Sequence, residues 1–336
     1  MKVLPSIPWS LSSRLKRAQL QQVATLIGAP LTGTKPQLVH SIDEICQSSQ
    51  RIYSVARPTL GRLSKHKHEL RVMSIDMGIR NLAFAFLTGS MTQKVASKIT
   101  FEKPALHQWK RVNLMDVDSL AWGSETNSLG LAVNVSDCNV PDAAMTAESF
   151  EPSQMAVHAY NFAKYCASLK PTHILIERQR FRSSGHSAVQ EWSLRVGMLE
   201  AMLYATIRTL TAEGLLTGTT VEPMLPMRVN KYWFTDQDIP ATGKQAKLAK
   251  IAIVSDMLQA LNIDTAPFSA GTDVVEIVKS FGVKPPQAPA ANKVTRSLNK
   301  LDDMSDALLQ GLAWLEWQQN RLKLIDEGPA GLGIGD

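Results

Sequence analysis

Cysteine, long apolar runs and, at the front of the chain, acidic residues are scarce in this 336-residue sequence. The three cysteines, Cys46, Cys138 and Cys166, are widely spaced and form no CxxC pair. Their scarcity argues against structural zinc and disulfide bonds and favours a reducing compartment. No run of about 18 apolar residues is present, which excludes a membrane-spanning helix and predicts no membrane partner. The 44% hydrophobic and 20% charged residues are typical of a soluble globular protein, and 336 residues leave room for one large domain and a small one.

The first acidic residue is Asp43, and residues 1–71 contain eleven Lys and Arg against three acids. The net charge of +6 is therefore concentrated at the front of the chain. This distribution permits a polyanionic partner such as nucleic acid. It is also compatible with mitochondrial import, although a basic DNA-binding module would carry the same charge.

Two apolar β-strands joined by a tight turn at Gly78 are predicted for the stretch Arg71–Leu87, RVMSIDMGIRNLAFAFL. Asp76 stands at the end of the first of these strands. A carboxylate in an apolar strand is costly to bury unless a cation or several hydrogen-bond donors compensate it. We therefore interpret Asp76 as a candidate metal ligand.

A second carboxylate is predicted at the end of a neighbouring strand. Residues 106–114 complete an antiparallel meander, and a helix over 153–169 then leads to the short apolar strand His173–Glu177. Because a helix between two strands forms a parallel crossover, this strand should lie beside the first. Glu177 would then stand at the height of Asp76, about 4.8 Å away, where two acids can share ions. The alternative is a simple ion pair between Glu177 and a nearby arginine.

A late helix carries three more acids. The segment Lys300–Trp317 has an apolar stripe formed by Leu301, Met304, Leu308, Leu312 and Leu315. At about 100° per residue, Asp302, Asp303 and Asp306 project over one quadrant of its first turn. One or two acids there would suit the helix dipole, but three crowded acids repel one another and need a counter-cation. Oxygen ligands without His or Cys favour Mg²⁺ or Mn²⁺ over zinc.

Two further helices and a strand over 219–222 are predicted between these motifs. The helix over 190–212 has a predicted buried side formed by Leu194, Gly197, Met198, Ala201, Ala205 and Leu210. Trp192, Gly197 and Ala201 could instead form a contact between subunits. The helix over 244–261 places Lys244, Lys247 and Lys250 on one side, which we expect to be solvated or to face DNA.

Residues 10–46 predict two short helices. The first ends at Gly28 and Pro30, and Thr34 and Gln37 form a capping box for the second. This stretch resembles a SAP motif through Gly28, Pro30, Gly33, Thr34, Lys35, Leu38 and Val39. The resemblance implies a hairpin that binds duplex DNA, and the alternative is a hairpin that packs on the main domain.

The order of strand acid, hairpin, crossover, strand acid and acidic late helix is that of the RNase H-like nucleases, an α/β class with a mixed sheet flanked by helices. Within this class the chain resembles the fungal mitochondrial Holliday-junction resolvases, relatives of bacterial RuvC. The resemblance is carried by SIDMGIRNLA at 74–83, IERQRFRS at 176–183 and DDMSDALL at 302–309. It implies a mitochondrial endonuclease that cuts four-way DNA junctions.

The domains expected from this resemblance are a SAP-like DNA-binding hairpin (1–47), a linker (48–69), an RNase H-like nuclease domain (70–327) and a flexible tail (328–336). The irregular stretch 115–152, predicted to be a mobile insertion, and the loop 262–300 are not covered by the resemblance.

The resemblance implies a catalytic site formed by Asp76, Glu177 and Asp306, with Asp302 or Asp303 as a fourth ligand. Asp303 is preferred because a D-x-x-D spacing matches RuvC. Two Mg²⁺ ions per site, for which Mn²⁺ can substitute, would perform two-metal phosphodiester hydrolysis without a nucleotide cofactor. Paired nicks in a nearly two-fold symmetric junction imply a homodimer.

Eight basic residues are candidates for DNA contacts: Lys35, Arg80, Arg178, Arg180, Arg182, Lys231, Lys293 and Arg296. One alternative function is a non-catalytic, architectural DNA-binding protein, which would not need the four acids together. Another is an actin-like or sugar-kinase ATPase, but such proteins repeat the acidic Gly-rich turn, and the chain has no second copy of it.

Overall fold

The structure is a computed structural model, and it describes residues 15–54, 66–93, 100–115, 150–179, 191–234, 243–261, 265–271, 274 and 291–335. Within these ranges, the side chains of residues 51–54, 66–68, 92–93 and 291–300 lie outside the description. The insertion predicted over 115–152 falls almost entirely outside the described residues.

One mixed sheet forms the centre of the fold. Its strands are β1 (His66–Asp76), β2 (Leu82–Gln93), β3 (Thr100–Phe101), β4 (Ala105–Val112), β5 (His173–Glu177), β6 (Thr220–Met224) and β7 (Ser269–Ala270). Their order is β6-β5-β1-β2-β4-β7, and β3 pairs with the end of β2. The strands β1, β2 and β4 form the predicted antiparallel meander, and β5 lies parallel to β1 as the crossover rule requires.

The helices are α1 (Arg17–Ile27), α2 (Lys35–Ser54), α3 (Pro152–Ser168), α4 (Glu191–Ala212), α5 (Pro226–Trp233), α6 (Gly243–Leu261) and α7 (Ala291–Glu327), followed by a short 3₁₀ helix (Pro329–Leu332). None of the helices among the described residues has the length and apolarity needed to cross a bilayer. The α/β class with a mixed sheet flanked by helices is thus confirmed.

Each face of the sheet carries its own apolar core. One face packs α3 and α4 against alternate strand residues, including Met73, Ile75 and Phe84. The opposite face packs α5, α6 and α7 against residues such as Val72. Because side chains alternate along a strand, Asp76 shares the face of Val72 and points toward α7.

The buried side of α4 differs from the predicted one. The residues that enter the core are Val196, Leu199, Leu203, Ile207 and Leu210, whereas Leu194 is 51% exposed and Trp192 is 43% exposed. Small residues at Gly197 and Ala201 suggested a close-packed stripe, but the larger aliphatic side chains one or two positions away bury more apolar area and decide the orientation.

The long helix α7 begins at Ala291 and not near Lys300, so the end of the predicted loop 262–300 is helical. Its acids therefore stand more than two turns inside the helix. Because the helix dipole acts mainly within the first and last turns, it does not account for them.

The N-terminal hairpin of α1 and α2 packs on the C-terminal half of α7. Gly28 ends α1 with a φ of 71°, and a Cβ there would lie 2.3 Å from the ring of Trp317. Arg321 donates a 2.8 Å hydrogen bond to the carbonyl of Ile27. Hairpin residues and Leu324 form one buried cluster. The hairpin therefore packs on the main domain, as the alternative interpretation expected, and DNA binding by its exposed side stays a prediction.

Two predicted boundaries differ from the structure. The linker expected over 48–69 is shorter, since α2 runs to Ser54 and β1 begins at His66. The tail expected to be flexible forms the 3₁₀ helix, and Ile334 is buried against the hairpin. One of the two hydrogen bonds of the predicted capping box is present, because Gln37 Oε1 accepts a 2.8 Å hydrogen bond from the Thr34 backbone N–H. The Thr34 hydroxyl donates to the same oxygen at 3.0 Å.

Candidate active site

Asp76 and Glu177 lie side by side at the carboxyl ends of β1 and β5. The parallel register pairs Ile75 with Ile176, so the two acids follow at the same height. Their carboxyl groups are close enough for the charge of one to disfavour the charge of the other. Burial raises the pKa of Asp76 well above its ordinary value, and the charge and hydrogen bond of Glu177 raise it further.

Hydrogen bonds fix α7 against β1 beside this pair. Ser74 donates from Oγ to the carbonyl of Ala307 at 2.7 Å. Gln310 donates from Nε2 to Ser74 Oγ and to the carbonyl of Ile75, each at 3.1 Å. These contacts place the acids of α7 opposite Asp76, whose pKa is also raised by Asp306 and Asp303.

Each of the three clustered aspartates of α7, which are Asp302, Asp303 and Asp306, faces a basic side chain. Asp302 is buried and lies 2.7 Å from Lys247 Nζ and 3.8 Å from Lys250 Nζ. Both carboxylate oxygens of Asp306 lie 2.6 Å from Lys250 Nζ. Arg111 Nε of β4 lies 3.5 Å from Asp303 Oδ2. The expectation that crowded acids need a counter-cation therefore holds, but this chain itself supplies three such cations.

The surroundings of Asp303 and Asp306 raise the pKa of each carboxyl group above its ordinary value. Burial raises the pKa of Asp303 to about 7, with Arg111 opposing the shift and Asp302 reinforcing it. Burial likewise raises the pKa of Asp306 to about 6 against the charge of Lys250. Burial alone would lower the pKa of Lys250, but Asp306 and then Asp302 outweigh it and raise that pKa, so the ammonium stays charged.

The prediction that the lysines of α6 are solvated or face DNA is wrong for Lys250, whose side chain is 13% exposed and faces Asp306 of α7. Lys247 is 48% exposed, as expected for a solvated position, and also pairs with Asp302. Lys247 and Lys250 are three residues apart on α6, and the acids they contact, Asp302 and Asp306, are four apart on α7, so each pair shares a helix face. Only tertiary packing shows that the two faces meet. Sequence reasoning also missed Arg111 and Glu200, whose carboxylate accepts a 3.2 Å hydrogen bond from the Gln179 backbone N–H beside Glu177.

The donor set fits a hard divalent cation. All five acids offer carboxylate oxygens, the ligands that Mg²⁺ prefers. Two of these oxygens, Asp302 Oδ1 and Asp303 Oδ2, are buried without a hydrogen-bond partner. Among the described residues, no three His, Cys, Asp or Glu side chains converge into a ready metal-binding group. The carboxylates of α7 are turned instead toward the basic side chains of α6 and β4.

The four candidate DNA-binding residues whose side chains the structure describes lie on different elements. Arg178 is exposed next to Glu177, and Arg80 lies 5.9 Å from the ring of Trp192. Lys231 is half-buried on α5, and Lys35 is half-exposed in the first turn of α2. Arg180 and Arg182 lie outside the described residues, as do the side chains of Lys293 and Arg296 on α7.

The mixed sheet with two acids at adjacent strand ends, faced by an acidic helix, defines an RNase H-like nuclease architecture. Residues 72–324 match the family described as mitochondrial resolvase Ydc2 / RNA splicing MRS1. The chain belongs to this family, and the predicted class, a mitochondrial Holliday-junction resolvase, is confirmed.

Individual relatives agree with this assignment. The chain is 25% identical over 308 residues to mitochondrial cruciform cutting endonuclease 1 of Schizosaccharomyces pombe, covering 90% of this chain and 93% of the relative. It is 20% identical over 331 residues to the protein of the same name from Saccharomyces cerevisiae, covering 91% and 82%. A crystal structure of the yeast mitochondrial Holliday junction resolvase Ydc2 has the same fold, with a TM-score of 0.52, 23% identity, and coverage of 95% of this chain and 99% of that chain.

Proposed function

We propose that this resolvase cuts four-way DNA junctions by paired symmetric nicks, through metal-dependent phosphodiester hydrolysis at Asp76, Glu177, Asp303 and Asp306. The observation that carries the proposal is the equal height of Asp76 and Glu177 opposite the acids of α7. The names of the relatives, cruciform cutting endonuclease and Holliday junction resolvase, support the choice of substrate.

The four acids would hold two Mg²⁺ ions, or Mn²⁺, and such bound ions supply an activated water and stabilise the leaving 3′ oxygen. Asp76 is central in this proposal because the charges of Glu177, Asp306 and Asp303 all raise its pKa, so it lies near each of the other three acids. The protein contributes ligands and position and no covalent nucleophile.

Basic residues would hold the phosphate backbone near the acids. Arg178 extends from the end of β5 next to Glu177, and Arg80 follows the end of β1 within the turn. Both would fix a strand beside the cluster, while Lys35 would contact a more distant arm from the hairpin. Contacts of this kind supply affinity and register with little sequence information.

A homodimer follows from the substrate. Resolution of a four-way junction needs two matched nicks, and the described part of the chain contains one such acid cluster. Two copies related by a two-fold axis would present two such clusters to the two strands.

The experiment that tests this function offers purified protein a four-way junction, a linear duplex of the same sequence and an RNA–DNA hybrid, each with Mg²⁺ or with a chelator. We expect paired nicks in the junction only, dependent on Mg²⁺, from a protein that sediments as a dimer. Because the family description also names RNA splicing, a structured RNA serves as a further substrate and competitor. Tight junction binding without cleavage at any Mg²⁺ or Mn²⁺ concentration would support the architectural alternative instead.

A further inference from the structure

Lys250 is the basic side chain most deeply engaged with the acids of α7. Its side chain is 13% exposed, and its ammonium contacts both oxygens of Asp306 at 2.6 Å. Lys247, by comparison, is 48% exposed and contacts Asp302 at 2.7 Å. A partly buried ammonium that engages both oxygens of one carboxylate strongly favours the charged form of that carboxylate.

A second acceptor stands next to the same ammonium. Asp302 Oδ1 lies 3.8 Å from Lys250 Nζ and is buried without a hydrogen-bond partner. An unpaired buried carboxylate oxygen is costly, so its presence requires a reason. A small rotation of the flexible lysine side chain is enough to bring the ammonium from one carboxylate to the other.

We propose that Lys250 is a tethered cation with two positions: it holds Asp306 when no metal is bound, and it moves to Asp302 when a divalent cation takes Asp306. The inference rests on the proposed function, in which Asp306 is a metal ligand. An ammonium and a divalent cation on the same carboxylate repel each other strongly in a partly buried site. The ammonium therefore competes with the metal, and Asp302 lowers the cost of its displacement.

This arrangement gives Asp302 a role distinct from that of a metal ligand. Lys250 sets the metal concentration at which the site fills, while it keeps the metal-free acid cluster compensated. Lys250 and Asp302 are thus positioning residues that act on the metal site through Asp306.

The test measures Mn²⁺ affinity by titration calorimetry in the absence of DNA, on full-length protein. Lys250→Met should bind Mn²⁺ several-fold more tightly than wild type, because the competing ammonium is gone. Asp302→Asn should bind it several-fold more weakly, because the displaced ammonium loses its second carboxylate. Lys244→Met, at an exposed position on the same helix, is the matched control and should leave the affinity unchanged.

The double variant Lys250→Met/Asp302→Asn decides the mechanism. Without Lys250, Asp302 has no displaced ammonium to bind, so the Asp302→Asn change should no longer weaken Mn²⁺ binding. The effects of the two substitutions on Mn²⁺ affinity should therefore be non-additive. Additive effects, or an unchanged or weaker affinity in Lys250→Met, would overturn the proposal.

Thermal melts with and without Mn²⁺ give a second readout, because a tighter ligand produces a larger rise in Tm. Lys250→Gln serves if Lys250→Met does not fold, and if neither folds, an unchanged affinity in Asp302→Asn alone overturns the inference. Asp76→Asn separates this inference from the proposed function. If Asp76→Asn does not weaken Mn²⁺ binding, the metal site itself is misassigned; if it does while Lys250→Met has no effect, only the role of Lys250 fails.

Discussion

Ser74 and Ala307 are joined by a 2.7 Å hydrogen bond from the serine hydroxyl to the helix carbonyl. Ser74 precedes Asp76 by two residues on β1, and Ala307 follows Asp306 directly on α7. The bond therefore fixes the height of one acid-bearing element against the other. Gly311, one turn further along α7, permits the close approach, since a Cβ there would lie 2.5 Å from Leu87 Cδ1.

Gly311→Ala should disturb this register. The added methyl would displace the Leu87 Cδ1 methyl and would lie 3.1 Å from the Cβ of Ser74, so α7 and β1 must separate by a few tenths of an ångström. We expect a loss of about 1–3 kcal/mol of unfolding free energy from overpacking, partly offset by the higher helix propensity of alanine. Urea unfolding measures the stability, and junction nicking should fall more than junction binding.

Gly243→Ala is the control for that change, because a Cβ at Gly243 meets nothing within 4 Å. This substitution should leave both stability and nicking near the wild-type values. Equal effects of the two substitutions would show that the Gly311 contact does not set the register.

Asp76→Asn and Glu177→Gln should each abolish nicking while junction binding persists. Removal of one carboxylate from the pair cripples the proposed metal site, whereas Lys and Arg contacts to phosphate supply most of the affinity. Nicking kinetics and gel-shift titrations on the same junction separate the two properties. Glu213→Gln, at an exposed position after α4, should behave like wild type, and near-normal nicking by both site variants would refute the assignment.

The strand acids could be predicted because a carboxylate at the end of an apolar strand is unusual in itself. Strand alternation and the crossover rule then bring Asp76 and Glu177 together without further information. The start of α7 and the core face of α4 were harder to predict. The sequence that leads into α7 is polar and contains prolines, so the first turns of this helix show no apolar stripe. In α4, Val196 and Leu199 enter the core in place of the small residues Gly197 and Ala201.

The basic partners of the acids could not be predicted from the sequence. Lys250 and Asp306 are 56 residues apart and meet only because α6 packs across α7. Arg111 and Asp303 are brought together by the pairing of β4 with β2. Ion pairs between distant elements leave no periodic signal, so a lysine that faces the site looks the same in the sequence as one that faces solvent.

The metal-free stability should depend on pH through Asp303. Its pKa is about 7 in the folded protein, because of burial, and 3.8 in the absence of structure. As pH rises above about 4, the unfolded chain loses this proton first, so the group destabilises the fold increasingly up to about pH 7 and by a constant amount above. Asp303→Asn removes this pH-dependent loss of unfolding free energy.

With a chelator present, the stability of Asp303→Asn relative to wild type should therefore rise between about pH 5 and about pH 7, by roughly 1–3 kcal/mol once partial exposure is allowed for, and stay constant above. Urea unfolding at several pH values measures this difference. At high pH, saturating Mg²⁺ should make the wild type more stable than Asp303→Asn, because only the wild type keeps the Asp303 carboxylate that would bind the metal. A difference that does not change with pH would mean that Asp303 is solvated in solution.

Removal of residues 1–47 should destabilise the protein and not merely weaken DNA binding. The deletion uncovers Leu324 and Trp317 and takes the Ile27 acceptor from Arg321, so a loss of at least about 3 kcal/mol is expected from the exposed apolar area alone. Thermal melts of the truncated protein test this. A truncated protein as stable as the full chain would show that the hairpin is not part of the core in solution.

Lys35→Glu isolates DNA binding by the hairpin from its packing. Lys35 is half-exposed in the first turn of α2, so its charge can change without opening the core. We expect weaker junction binding, with a salt dependence reduced by about one ion, because one phosphate contact is lost. An unchanged salt dependence would mean that the hairpin serves packing alone.

The last prediction concerns Asp302 and Asp303. Asp303 and Asp306 are the acids of α7 whose charges reach Asp76, whereas Asp302 is held by Lys247 at 2.7 Å. Asp303→Asn should lose Mg²⁺-dependent nicking by orders of magnitude at every Mg²⁺ concentration. Asp302→Asn should lower stability and raise the Mg²⁺ requirement several-fold, yet nick at a near wild-type rate once Mg²⁺ is saturating. Nicking rates over a Mg²⁺ series distinguish the two variants, and if Asp302→Asn is inactive at saturation while Asp303→Asn is active, the fourth ligand is Asp302.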